Sequence, residues 1–187
     1  MIDIGHAYKT GATGYGVEEH DCCAVIAEHL QKLFRDSGIE VDVIDFPNKS
    51  NSEDLNLTIK QANSGGYDLG VSLHCDSASI SEHDENGEYL GEKQNPEPHG
   101  AHVCYYSKSG KELAEDIAKN LCKLLPGRSE KTVLRTNLAV LKKTKPVWVL
   151  CECGFITNPH DNDMIRRNPD QIAAKIGLGI CKYIFGN

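Results

Sequence analysis

The 187-residue chain has no run of Lys or Arg, and its balance is acidic, with 20 basic against 27 acidic side chains for a net charge of −7. That leaves no electrostatic footprint for nucleic acid or an anionic membrane surface, and a polyanionic partner is not expected. No apolar stretch approaches the ~20 residues a membrane span requires. The N-terminus has neither the charged nor the apolar region of a signal peptide, so the expectation is a protein that is cytoplasmic as synthesised. Paired cysteine spacing is missing as well. The eight cysteines fit neither a zinc ribbon nor a disulfide framework and read as small core residues. Cys75, beside His74, is the one weighed as a nucleophile. Internal repeats and linkers are absent.

A chain of 187 residues that is 40% hydrophobic and 25% charged suffices for one domain with a full core and is short for two. Apolar runs over 1–6, 39–45, 68–74, 101–106 and 146–152 read as strands, and 138–141 as a possible edge strand. Helical spacing covers about 18–36, closed by Gly38, then 54–63, 110–125, and a last helix from about Pro169 that carries Ile172, Ile176, Ile180 and Ile184. Residues 77–99 are polar, acidic and without periodicity, and read as a long loop, a lid or substrate-contacting insertion. The alternation predicts a single α/β domain over 1–187: a twisted, mainly parallel sheet of roughly six strands with helices on both faces.

Three of the apolar runs end on residues that bind metals or move protons, namely His6, His74 and Glu152. In open α/β sheets the carboxyl edge of the strands is where sites are built. On the first helix, Glu19 shares a face with Cys22, Cys23, Ile26, Leu30 and Leu33, so its carboxylate sits on the buried stripe and needs a cationic partner or a metal. A catalytic zinc takes three His or carboxylate ligands and leaves a fourth position open. His6, Glu19 and His74 are such a set, and Glu152, desolvated at a strand end, is a candidate general base. The competing readings are an ion pair of Glu152 with Lys142, Lys143 or Lys145, and a closed structural site with His20 as fourth ligand.

The run Ile2-Asp3-Ile4-Gly5-His6, with Gly11-Ala12, Gly14 and Gly16-Val17-Glu18-Glu19-His20-Asp21, resembles the opening of the zinc-dependent N-acetylmuramoyl-L-alanine amidases of the Amidase_3 type. Ala62-Asn63, Ser72-Leu73-His74 and the stretch from Val149 to Pro159 extend the resemblance, in order, to the last helix. It implies one Zn²⁺ held by His6, Glu19 and His74, and catalysis by Glu152. The implied reaction is hydrolysis of the amide between the lactyl group of N-acetylmuramic acid and L-Ala of the peptidoglycan stem. Asp3, Asp21 and Asp76 are candidates for groups that support the ligands or touch substrate.

The chain departs from the family pattern at Ala7, where a glycine is usual, at Asp76, where Asn is frequent, and in the length of 77–99. A zinc peptidase acting within the stem peptide, or a non-catalytic peptidoglycan-binding module, would use much of the same residue set. Since the implied substrate lies outside the membrane, a phage or prophage endolysin-like protein with a holin-type release partner fits, as does a secreted protein whose signal has been removed; an activator is a further expected partner.

Overall fold

Most of the apolar runs become strands and most of the helical periodicities become helices in the computed structural model, which describes residues 1–186. The chain opens with β1 (Ile2–Ile4), a small hairpin of β2 (Thr13–Gly14) and β3 (Val17–Glu18), α1 (Glu19–Asp36), β4 (Val43–Ile44) and α2 (Asn51–Ser64). It continues through β5 (Leu69–Asp76), β6 (Ser79–His83), β7 (Tyr89–Gln94), β8 (His102–Tyr105) and α3 (Lys108–Leu124). The last third holds β9 (Thr132–Leu134), α4 (Ala139–Lys143), β10 (Val147–Phe155), α5 (Pro159–Arg167) and α6 (Pro169–Phe185).

Six strands form one sheet in the order β4-β1-β5-β10-β8-β9. All neighbouring pairs are parallel except β10 with β8. The expected single α/β domain with a mainly parallel six-stranded sheet is what the chain forms. One face packs on α1 and α3, with α6 packed against both helices, around Ile26, Leu30, Leu73, Ile117, Leu121, Val149, Cys151 and Ile176. Each such aliphatic side chain contributes about 1.5–3 kcal/mol when fully buried, so this layer anchors the sheet. The second face carries the smaller cluster of Met1, Ala62, Cys104, Val140, Leu141, Trp148 and Leu150 under α2 and α4.

Strand alternation turns Leu73 and Cys75 to the first face and Ser72 and His74 to the second. On β10 the same alternation separates Val149 and Cys151 from Leu150 and Glu152. Below the strand ends a buried polar chain ties the second face together: Trp148 Nε1 donates to Ser72 Oγ (2.9 Å), Ser72 to Asp3 Oδ2 (2.6 Å) and Thr58 to Asp3 Oδ1 (3.0 Å).

The expected structureless loop over 77–99 is instead an antiparallel hairpin, β6 against β7, pairing Ser79 with Gln94 through Glu82 with Gly91. Both strands are largely exposed, so they show none of the apolar alternation by which a half-buried strand is recognised. The expected edge strand at 138–141 is a helical turn, α4. Val140 and Leu141 are buried in it, and a short apolar run does not by itself distinguish the two states. The edge strands of the sheet are β9 on this side and β4 on the other. Helix α2 starts at Asn51, ahead of the expected 54, because Ser50 and Glu53 form a reciprocal capping box. Helix α5 was not anticipated. Asn158 caps it by accepting from the amides of His160 and Asp161, with Pro159 in the first turn.

Candidate functional site

At the carboxyl edge of β1 and β5, His6, Glu19 and His74 converge, each offering one ligand atom, all within 4.8 Å of one another. His6 follows β1 in a left-handed conformation, φ 64°. That backbone costs a β-carbon-bearing residue about 1–2 kcal/mol, and it swings the ring over the strand end. Its Nδ1 lies 3.1 Å from Asn51 Oδ1 and its Nε2 3.6 Å from Glu19 Oε2. With Nδ1 donating to Asn51, Nε2 is left as the free donor atom. Glu19 is the first residue of α1, where the helix dipole favours an anion. Its Oε2 accepts from Ala12 N (2.8 Å), and its Oε1 accepts from Cys75 N (3.0 Å) and stands 3.0 Å from His74 Nδ1. His74 packs edge-on to His6, ring centroids 4.9 Å apart, and fills the space left by the missing side chain of Gly5.

The electrostatics of this cluster fit a cation. Burial opposes charge on His74, but the hydrogen bond to Glu19 and the charges of Glu152 and Glu19 outweigh it and push the imidazolium pKa up to about 9. Glu19 is penalised by burial, yet the hydrogen bond and charge of His74, and then His6, hold its carboxyl below the usual range. Burial lowers His6, against the pull of Glu19. Two imidazoles and a carboxylate thus enclose a point where positive charge is favoured. Ligands at 2.0–2.2 Å from a tetrahedral zinc stand about 3.4 Å apart; Glu19 lies 3.0 Å from His74 through Oε1 and 3.6 Å from His6 through Oε2. The donor set suits Zn²⁺, and with three protein ligands it leaves a position open.

Glu152 stands directly beside His74 in the parallel register of β10 with β5, so both side chains leave the same face of the sheet. Burial raises its carboxyl to about 7, with the His74 charge opposing. Its Oε2 is enclosed and has no hydrogen-bond partner. Among the described residues no ion pair joins Glu152 to Lys142, Lys143 or Lys145.

His20, weighed as a fourth ligand, is turned away, its Nε2 3.0 Å from Asp45 Oδ1. Asp21 is exposed and reaches only His20, 3.5 Å from Nδ1. Asp3 lies buried beneath the site, engaged by Ser72 and Thr58 and by neither histidine ligand candidate. Asp76 is paired with Arg128, whose guanidinium sits 4.1 Å over the Phe155 ring, so the charge added at this position is largely compensated. Cys75 faces the core with its Sγ 3.9 Å from that of Cys23. The Cys23 contact and burial drive its thiol well upward, which leaves it inert as a nucleophile. Asn51 and Arg128 were not foreseen. The capping box at Ser50 was a signal that could have placed Asn51 at a helix start, whereas nothing local marks Arg128.

A family profile described as N-acetylmuramoyl-L-alanine amidase matches residues 1–182. Among solved structures, the catalytic domain of the CD27L endolysin, targeting Clostridia difficile, superposes with a TM-score of 0.81 at 30% identity, covering 97% of this chain and 95% of that one. The CwlD amidase of Clostridioides difficile, solved in complex with the GerS lipoprotein, has the same fold, with a TM-score of 0.81 at 22% identity over 100% of this chain and 98% of that one. The N-acetylmuramoyl-L-alanine amidase LytC of Bacillus subtilis is 27% identical over 190 aligned positions, 98% of this chain. The chain spans 35% of the length of LytC.

Proposed function

The chain belongs to the N-acetylmuramoyl-L-alanine amidase family, and from that premise we propose that it is a zinc-dependent hydrolase acting on peptidoglycan. The bond cut joins the lactyl group of N-acetylmuramic acid to L-Ala of the stem peptide. The observation that carries this reading is the placement of Glu152 level with His74, on the same sheet face, beside three converging donors that leave a ligand position open. Hydrolysis needs that combination of a held cation and a neighbouring carboxylate of near-neutral proton affinity.

In this reading His6, Glu19 and His74 would hold one Zn²⁺, which would supply a Lewis acid for the scissile carbonyl and lower the pKa of a bound water toward ~7. Asn51 fixes the tautomer of His6. The amides of Ala12 and Cys75 orient the Glu19 carboxylate, so that its oxygens are set before anything binds. Glu152 takes the proton from the attacking water and returns it to the departing amine of L-Ala, one carboxylate serving as base and then acid. The hairpin β6–β7, rising immediately beyond His74 and Asp76, flanks the same edge and serves as a wing for the polymeric substrate.

Action at the wall calls for release through a holin-type partner or for secretion. An activating partner would act most directly at the exposed hairpin edge beside the site. The reading is tested by two variants: Glu152→Ala keeps one zinc per chain and loses turnover by about 10²–10⁴-fold, whereas His74→Ala loses zinc and turnover together. A near-normal rate for Glu152→Ala contradicts it.

A further inference from the structure

The row of side chains that carries His74 and Glu152 continues one strand further. In the antiparallel pairing of β10 with β8, Glu152 stands opposite His102. Opposed residues share a face and place their Cβ atoms about 4.5–5.5 Å apart. His102 is only 3% exposed, and neither ring nitrogen has a hydrogen-bond partner. Glu152 Oε2 is in the same condition. Two enclosed polar groups, one a donor and one an acceptor, therefore face each other across one strand pair, each lacking what the other supplies.

A neutral imidazole always presents one N–H and one acceptor nitrogen, and leaving such a group buried and unpaired costs about 1–3 kcal/mol. An aromatic hydrocarbon at position 102 would carry no such cost. The neighbouring charges do not meet the need. Arg128 is committed to Asp76 and to Gly100 O (Nε, 3.4 Å) and lies over Phe155. Burial and the Arg128 charge, with a smaller push from Arg135 and a contrary pull from Asp76, lower the imidazole to about 4. At neutral pH the ring is an uncharged donor.

We propose that His102 is a positioning residue for Glu152: its ring N–H donates to Oε2, directly or through one water, and keeps the other carboxylate oxygen turned toward the bound water. This rests on the reading of Glu152 as the proton-transferring group. The enclosed oxygen is the held one, and the carboxylate no longer rotates between productive and unproductive orientations. Loss of such orientation costs up to about 100-fold in rate without loss of substrate binding.

The test uses the zinc-loaded chain with three variants, His102→Phe, His102→Gln and Glu152→Gln. For His102→Phe, kcat is expected to fall about 10- to 100-fold with KM and zinc content unchanged and a thermal midpoint equal to or above the parent. His102→Gln, which keeps a donor of similar reach, recovers most of the rate. In the unaltered His102 ring, ¹⁵N chemical shifts are expected to move when Glu152→Gln is introduced, a readout that does not depend on any His102 variant folding. An unchanged kcat in His102→Phe, a loss expressed in KM or zinc content, or ring shifts indifferent to Glu152→Gln would each overturn the inference. If Glu152→Gln is inactive while His102→Phe is not, the hydrolase reading stands and this inference fails. Normal turnover by Glu152→Gln removes the reading on which both depend.

Discussion

A Cβ atom on Gly5 would lie 2.3 Å from Cε1 of His74, so the imidazole rests directly on the bare backbone of the adjoining strand. Nothing larger than hydrogen fits between β1 and that ring. Gly5→Ala is therefore expected to displace His74 and weaken zinc binding by about 10- to 100-fold, the usual scale for disturbing the support of a metal ligand. The far-UV spectrum should be retained. Competition against a chromophoric chelator measures the affinity, and an unchanged value would mean that the ring has another rotamer available.

His6 is held by the Asn51 side chain at 3.1 Å. Asn51→Leu removes the acceptor that fixes which ring nitrogen carries the proton, and zinc affinity should fall by about 10-fold or more. Asn51→Asp keeps an acceptor oxygen at the same reach and should bind at least as well as the parent. Equal affinities for the Leu and Asp variants would show that the Asn51 side chain has no part in holding His6.

Glu152 sets a pH dependence of stability in the chelator-treated protein. Burial raises its carboxyl from 4.5 to about 7. Between these values the unfolded chain has released a proton that the folded chain retains. Its contribution is therefore intact below about 4.5 and is lost as pH rises through 7. At 1.36 kcal/mol per unit, the loss is on the order of 3 kcal/mol. Glu152→Gln should accordingly unfold at higher urea than the parent at pH 8 and at nearly the same urea at pH 4.5. A gain that does not vary with pH would place the cause in packing.

The hairpin is tied down at its base, where Gln94 Nε2 donates to Thr157 O (3.1 Å) and Ala78 N donates to Thr157 Oγ1 (3.1 Å). Its strands contribute nothing to either apolar cluster. Replacing residues 80–93 with a short turn should change stability by about 1 kcal/mol or less. Turnover of a soluble muramyl peptide should persist, while solubilisation of intact wall drops several-fold. Equal rates on both substrates would remove the hairpin from the substrate path.

His6, His74 and Glu152 were legible in the sequence because each ends an apolar run, and Glu19 because helical spacing put a carboxylate on a buried stripe. These signals are local and periodic. His102 carries none, and the capping box at Ser50 marks Asn51 only as a helix start, not as a neighbour of His6. Each acts through one neighbour brought near by strand or helix packing, 45 residues away for Asn51 and His6. The compensation of Asp76 by Arg128 likewise joins positions 52 apart. The hairpin escaped notice because strands wetted on both sides have no reason to alternate, and α4 because four apolar residues in a row suit a buried strand or a buried helical turn equally.

The most direct test of the central claim is mass spectrometry of the soluble products released from purified peptidoglycan by the zinc-loaded protein, with a chelator-treated control. The account predicts free stem peptides beginning at L-Ala, glycan strands with intact lactyl groups, and no release in the control. Fragments cut within the stem peptide, or release that survives the chelator, would contradict it.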